Sequence, residues 1–246
     1  MEETARQTVC NDFGKGLRDG VPIGLGYVSV AFAFGMMAVS QGLPVWAAVA
    51  ISMTNVTSAG QFAGLSLMTA AAPFLEMALT QLVINLRYAL MSLSLSQKLD
   101  GAVTTLDRLI IAFVNTDEVF AVASSQEGAL GKRYLFGLML APYFGWALGT
   151  LLGAAAGTIL PAAVRSALGI AIYGMFIAIV IPPARYLKPV RAAAGLAAAL
   201  SCIFAFVPLF RGISSGFSII LCTVIAASAA ALLFPVEERE KEEETP

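Results

Sequence analysis

The chain has 246 residues, 58% of them hydrophobic and 13% charged, with a formal net charge of −1. Soluble globular chains carry about 25% charged residues, so this composition, with a mean hydropathy of +0.81, excludes an ordinary soluble domain. The absence of histidine excludes histidine metal sites, Ser-His-Asp triads and histidine proton relays, and the one charge run, the acidic tail Glu237–Glu244, argues against nucleic acid as a partner.

Residues 1–20 read as a polar, amphipathic entry segment on the cytoplasmic side. The first apolar run starts at Val21 and is too long for a signal peptide, so it is expected to stay as a span. Between Asp19 and Glu76 there are 56 residues without a charged side chain. A bilayer core about 30 Å thick takes roughly 20 apolar residues per helix, so this stretch is long enough for two spans. Further charge-free runs lie between Arg133 and Arg165, Arg165 and Arg185, Arg191 and Arg211, and Arg211 and Glu237. Candidate spans are 21–40, 45–71, 74–97, 109–124, 134–160, 166–184, 192–210 and 213–234. They define an all-α, polytopic transmembrane domain over 21–234, followed by an acidic cytoplasmic tail, 235–246.

The second span carries a polar patch, Thr54, Asn55, Thr57, Ser58 and Gln61, around Gly60. The patch predicts a helix break at Gly60. Irregular backbone at membrane depth must be buried in protein or line a wet cavity, which makes Asn55, Ser58, Gly60 and Gln61 candidate substrate contacts, with Phe62 beside them. Ser and Thr packing between helices is the plainer reading of the same patch. The third span opens on Glu76, whose carboxylate suits a first helical turn. The same span contains Asn85 and Arg87. A central Arg is disfavoured by about 2.5–3.5 kcal/mol on insertion scales, so it needs a counter-charge, a wet cavity or an anionic ligand. Asp117 and Glu118, inside the fourth segment, are the natural partners. Adjacent helical residues lie about 100° apart, so one of the two is expected to face Arg87.

Gly42-Leu43-Pro44 and Gly60-Gln61-Phe62 find a faint echo in Ile159-Leu160-Pro161 and Gly174-Met175-Phe176. Inverted repeats with broken helices are a common transporter plan, and the echo would put Phe176 opposite Phe62. Lys and Arg counts orient the chain. With eight spans and both termini cytoplasmic, Arg6, Lys15, Arg18, Lys132, Arg133, Arg185, Lys188, Arg191, Arg239 and Lys241 fall inside, and Lys98, Arg108, Arg165 and Arg211 outside. Cys10, Cys202 and Cys222 read as packing residues. No Gly-X-X-X-X-Gly-Lys-[Ser/Thr] phosphate loop, metal constellation or nucleophile–base pair is present in the sequence, so neither catalysis nor a cofactor is expected.

Five phrases, in order and at characteristic spacing, carry a family resemblance: Gly20-Val21-Pro22-Ile23-Gly24, Ser58-Ala59-Gly60-Gln61-Phe62, Asn85-Leu86-Arg87-Tyr88 with Leu90-Met91-Ser92-Leu93-Ser94-Leu95, Thr116-Asp117-Glu118-Val119-Phe120, and Gly174-Met175-Phe176-Ile177-Ala178. Over roughly residues 13–234 the chain resembles the AzlC family of branched-chain amino acid permeases. Many members carry His where this chain has Tyr88, and an acidic residue where Gly169 aligns. The resemblance implies a cell inner-membrane permease that exports branched-chain or similar neutral amino acids, paired with a small AzlD-type membrane protein. The competing reading is a membrane scaffold or accessory subunit with no transport activity of its own. Association with further copies of the chain is left open.

Overall fold

A computed structural model describes residues 9–161, 177, 180–210 and 212–235. Expectations placed on Arg6, Arg165, Gly169, Phe176, Arg211, Arg239, Lys241 and the acidic tail lie outside the described residues. The chain divides into two compact units, Met1–Met175 and Phe176–Pro246. Five described helices are long and apolar enough to cross a bilayer, and the described residues are all-α apart from one two-residue parallel strand pair and a single bridge between Leu99 and Leu130.

In the first unit, the long helix α1 (Phe13–Ser40) starts at Asp12, whose carboxylate accepts from the Gly14 and Lys15 amides. It ends in a tight turn through Gly42 (φ +94°), where the Gly42 and Leu43 amides return to the Val39 and Ala38 carbonyls. Two short helices follow, α2 (Val45–Thr54) and α3 (Ser58–Thr69), then α4 (Phe74–Ser96). Another short pair, α5 (Thr105–Phe113) and α6 (Asp117–Ser125), leads to the long α7 (Lys132–Ile159). A capping box, Thr104 with Asp107, starts α5.

α1 and α7 form the spine of this unit and run parallel. Gly16 lies against Tyr134, Gly24 against Ala141, Val28 against Gly149 and Phe32 against Gly153, so contact positions advance together along both helices. Gly16, Gly20 and Gly24 on α1 meet the α7 backbone, and Gly145, Gly149 and Gly153 on α7 meet the α1 backbone. Small residues every fourth position let two backbones touch, which is how helices associate where lipid removes the hydrophobic drive.

The segment 45–71 does not cross. α2 descends along α1 until Val56 packs on Tyr27 and Trp146. α3 then turns back, placing Phe62 edge-on to Phe34 with ring centroids 5.5 Å apart. The Ser52 hydroxyl donates to Gln61 Oε1 across the fold at 3.1 Å. In a continuous helix those two residues would be about 13 Å apart. The expected break at Gly60 is corrected: the non-helical residues are Asn55–Thr57, and Gly60 is helical. Thr57 caps α3, accepting from the Gly60 amide, and this satisfies a donor that would otherwise be orphaned.

The segment 109–124 also folds back, from the other end. Arg108 at the start of α5 donates to the Ser96 carbonyl, and Lys98 donates to the Ser124 carbonyl at the end of α6. Both ends of the hairpin are therefore beside the end of α4, while its tip, Val114–Thr116, reaches Ser92 and Tyr27. Nine residues rise about 13.5 Å, close to half the hydrocarbon thickness. α1 with its hairpin and α4 with its hairpin are thus the same motif in opposite orientation. The 159–176 half of the echo with residues 42–62 falls largely outside the described residues, and the relation between these two motifs is a separate one.

The charge map changes accordingly. Lys15, Arg18, Lys98, Arg108, Lys132 and Arg133 all lie at the end where α1 starts, and the opposite end of this unit carries no described Lys or Arg. Lys98 and Arg108 were expected across the membrane from Lys15. Instead Lys15 and Lys98 both bond Gln126, Lys15 to its Oε1 at 2.6 Å and Lys98 to its carbonyl. Single cysteines placed at Gln41 and Ala71 in a cysteine-free background should therefore react with an impermeant maleimide from one side of the membrane. Those at Gly101 and Gln126 should react from the other. Gln41 and Ala71 reporting opposite sides would restore a full crossing for segment 45–71.

In the second unit, residues 180–186 are helical. α8 (Lys188–Phe206) and α9 (Ser215–Leu233) pack together, and the buried residues of α9 are small: Gly216, Cys222 and Ala226. A 3-10 turn, Pro208–Phe210, joins them, with Phe204 edge-on to Phe210.

Candidate functional site between the hairpin tips

The two tips meet at mid-depth of the first unit. Tyr27, Asn85 and Trp146 fall at the middle of α1, α4 and α7, and Tyr27 stacks edge-on to Trp146 at 5.1 Å. Between the tips and α4 lies a partly open cavity of about 230 Å³, lined by Thr54, Asn55, Val56, Thr57, Asn85, Tyr88, Ala112, Phe113 and Asn115. Both helix breaks contribute, so the polar residues of segments two and four converge on one space.

A hydrogen-bond chain ties the tips together. Arg87 Nη1 is 2.8 Å from Asp117 Oδ2, with both side chains nearly half exposed (46% and 45%). Arg87 Nη2 donates to the Tyr88 hydroxyl at 3.0 Å, and Tyr88 donates to Thr57 Oγ1 at 3.3 Å. The guanidinium also sits over the Tyr88 ring, 4.8 Å from its centroid. Thr57 caps α3 and Asp117 opens α6, so Arg87 joins the amino-terminal ends of two half-helices. On the other side of α6, Tyr27 donates to Glu118. Its oxygen lies 2.6 Å from Thr116 Oγ1, the α6 cap. Asp117 and Glu118 in the first turn also complement the helix dipole.

Of the residues singled out from sequence, Asn55 and Asn85 line the cavity, and Arg87 and Asp117 form the pair beside it. Ser58 is half-buried at the start of α3. Gly60, Gln61 and Phe62 are buried and do not line the cavity. A Cβ on Gly60 would lie 2.6 Å from Thr57 Cγ2 and 2.8 Å from Gln81 Oε1, so glycine lets α4 approach α3 there. Gln61 bonds Ser52, which bonds Thr150 on α7 at 2.6 Å. Phe62 packs on Phe34. Glu76 is buried in the first turn of α4. Thr57 stands in the polar patch and Tyr88 in a family phrase without a site role of its own, and the site residues that sequence reasoning passed over are Tyr27 and Asn115. Thr57 and Thr116 each carry a helix-start signal, a hydroxyl residue ahead of small or acidic residues. Among the described residues, no group of three or more Cys, Asp and Glu is placed to hold a metal ion.

These features define a polytopic α-helical membrane protein with a mid-membrane polar cavity between two re-entrant half-helix pairs. Residues 22–160 match the family model described as AzlC protein, and the chain belongs to the AzlC family. The match covers the spine, both hairpins and the cavity. An uncharacterized membrane protein of Archaeoglobus fulgidus is 33% identical over 172 residues, 69% of this chain and 75% of that protein. Inner membrane protein YgaZ of Escherichia coli is 28% identical over 138 residues, 54% of this chain and 56% of its own length. An uncharacterized membrane protein of Helicobacter pylori is 31% identical over 144 residues, 55% of this chain and 62% of that protein. No solved structure matches the chain significantly.

Proposed function

We propose that the chain is the permease subunit of an inner-membrane exporter for branched-chain or similar neutral hydrophobic amino acids, driven by an ion gradient and completed by a small AzlD-type membrane partner. The observation that carries this reading is the polar cavity at mid-depth between two helix breaks that enter from opposite ends. Half-helices that end at a midplane site are how many secondary transporters meet a charged substrate without a full charge of their own. The carboxy-terminal residues of α2 and α5 and the amino-terminal cap of α3 line the same cavity, so helix ends of both polarities are available to a zwitterion. A volume of about 230 Å³ is below the roughly 300–1,000 Å³ of drug-sized sites and suits a small metabolite. The one-sided Lys and Arg distribution supports a cytoplasmic start for α1, and the name of the Escherichia coli relative supports the inner membrane.

Proteoliposomes containing the purified chain, with and without a small partner subunit, should show counterflow of labelled leucine, isoleucine, valine or methionine. No counterflow of any of the four, in either preparation, would sink the permease reading and leave an accessory or scaffold role.

A further inference from the structure

Two residues that line the cavity, Asn85 and Asn115, each carry a buried carboxamide oxygen, Oδ1, without a hydrogen-bond partner. Asn115 is only 2% exposed. Its amide nitrogen is committed to Ser92 Oγ at 3.2 Å. The Asn85 nitrogen is committed to Gln81 Oε1 at 3.1 Å, and Gln81 is itself anchored on the Gly60 carbonyl at 2.7 Å. In both cases the donor side is tied to the scaffold and the acceptor side is left over. Buried acceptors without a partner are costly and uncommon, and two on separate elements lining one cavity call for a shared donor.

We propose that Asn85 Oδ1 and Asn115 Oδ1 form a neutral subsite for a monovalent cation, either the ammonium group of the transported amino acid or a sodium ion. The ammonium form rests on the permease reading above; the sodium form does not. Three arguments select a monocation. The carboxy-terminal residues of α2 and α5 line the same cavity, so the negative ends of two helix dipoles point there against the single positive end of α3, whose cap Thr57 also lines it. The nearby carboxylates are engaged elsewhere, Asp117 by Arg87 and Glu118 by Tyr27. Divalent cations favour carboxylate oxygens, and a lining set without a carboxylate disfavours them.

The test reads the thermal unfolding midpoint of the detergent-purified full chain. Sodium chloride is compared with choline chloride at fixed ionic strength. 3-Methylbutylamine, which keeps an ammonium and a branched tail, is compared with 4-methylpentanoate, which has the tail and no ammonium. Sodium or the amine should raise the midpoint of the unmodified chain, and whichever does so identifies the source of the cation. Asn115→Leu should require at least about tenfold more of that cation for the same shift. Asn115→Asp replaces the amide donor to Ser92 with an oxygen that can accept from the Ser92 hydroxyl and adds a negative charge, so it should require less, which keeps the test decisive if Asn115→Leu fails to fold. The proposal is overturned if neither cation stabilises beyond its control, or if Asn115→Asp responds as the unmodified chain does. Because the readout is binding, loss of leucine counterflow with cation stabilisation intact would sink the permease reading alone.

Discussion

Gly153→Ala should sharply reduce the yield of folded protein, whereas Gly26→Ala, on the open face of α1 six residues before the Phe32 that Gly153 meets, should leave it unchanged or slightly improved. The substitution is the same, a single methyl group; only the surroundings differ. A Cβ on Gly153 would fall on the Phe32 carbonyl, far inside contact distance, and both groups are backbone. No side chain can rotate away, so α1 and α7 must separate. Gly149 against Val28 and Gly145 against Gly24 lie in the same seam, and separation at one level loosens the contacts above and below. Overpacking of a well-packed interior typically costs about 1–3 kcal/mol, and a rigid backbone-on-backbone contact belongs at or above the top of that range. At Gly26 a Cβ would meet nothing within 4 Å, and replacing a mid-helix Gly with Ala gains roughly 0.5–1 kcal/mol. Size-exclusion profiles after a heat step, run on both variants in detergent, measure the difference. Equal midpoints would mean that the α1–α7 seam is not what holds this unit together.

The second large effect is expected at the Arg87–Asp117 pair. Asp117→Asn should lower leucine counterflow by roughly two orders of magnitude, because an unpaired Arg at membrane depth is disfavoured by about 2.5–3.5 kcal/mol. Arg87→Gln should be milder. Asp117 would lose its partner but keep the amino-terminal dipole of α6, which favours a carboxylate there. The double variant should recover part of the loss, since two neutral amides leave no buried charge unpaired. A double variant as poor as the product of the two single ones would show that the residues act independently and that the ion pair does not organise the tips.

The cost of a lone charge made the Arg87 pairing legible before any geometry was known. The choice of Asp117 over Glu118 was not legible, because it depends on where α6 begins. Thr116 caps that helix, so residue 117 faces Arg87 on α4 and residue 118 faces Tyr27 on α1. The polar patch around Gly60 predicts a helix break at that glycine. The structure uses that glycine for close approach by Gln81 and Asn85 instead, while the break falls three residues earlier, where Asn55 and Thr57 cap the two half-helices.

By itself, the sequence determined the solvent: charge-free runs of this length belong in a bilayer. It also determined the long helices, since α4, α7, α8 and α9 begin and end within a few residues of their apolar runs. Only the tertiary structure decided the direction of segments two and four. Hydropathy reports whether a segment avoids water, and a re-entrant pair avoids water as well as a full crossing does. Direction is set by packing: Val56 on Tyr27, Phe62 back on Phe34, and both ends of the second hairpin beside α4. Those contacts join residues far apart in the chain, and they bring Asn85 and Asn115 to one cavity, which no local pattern in the sequence encodes.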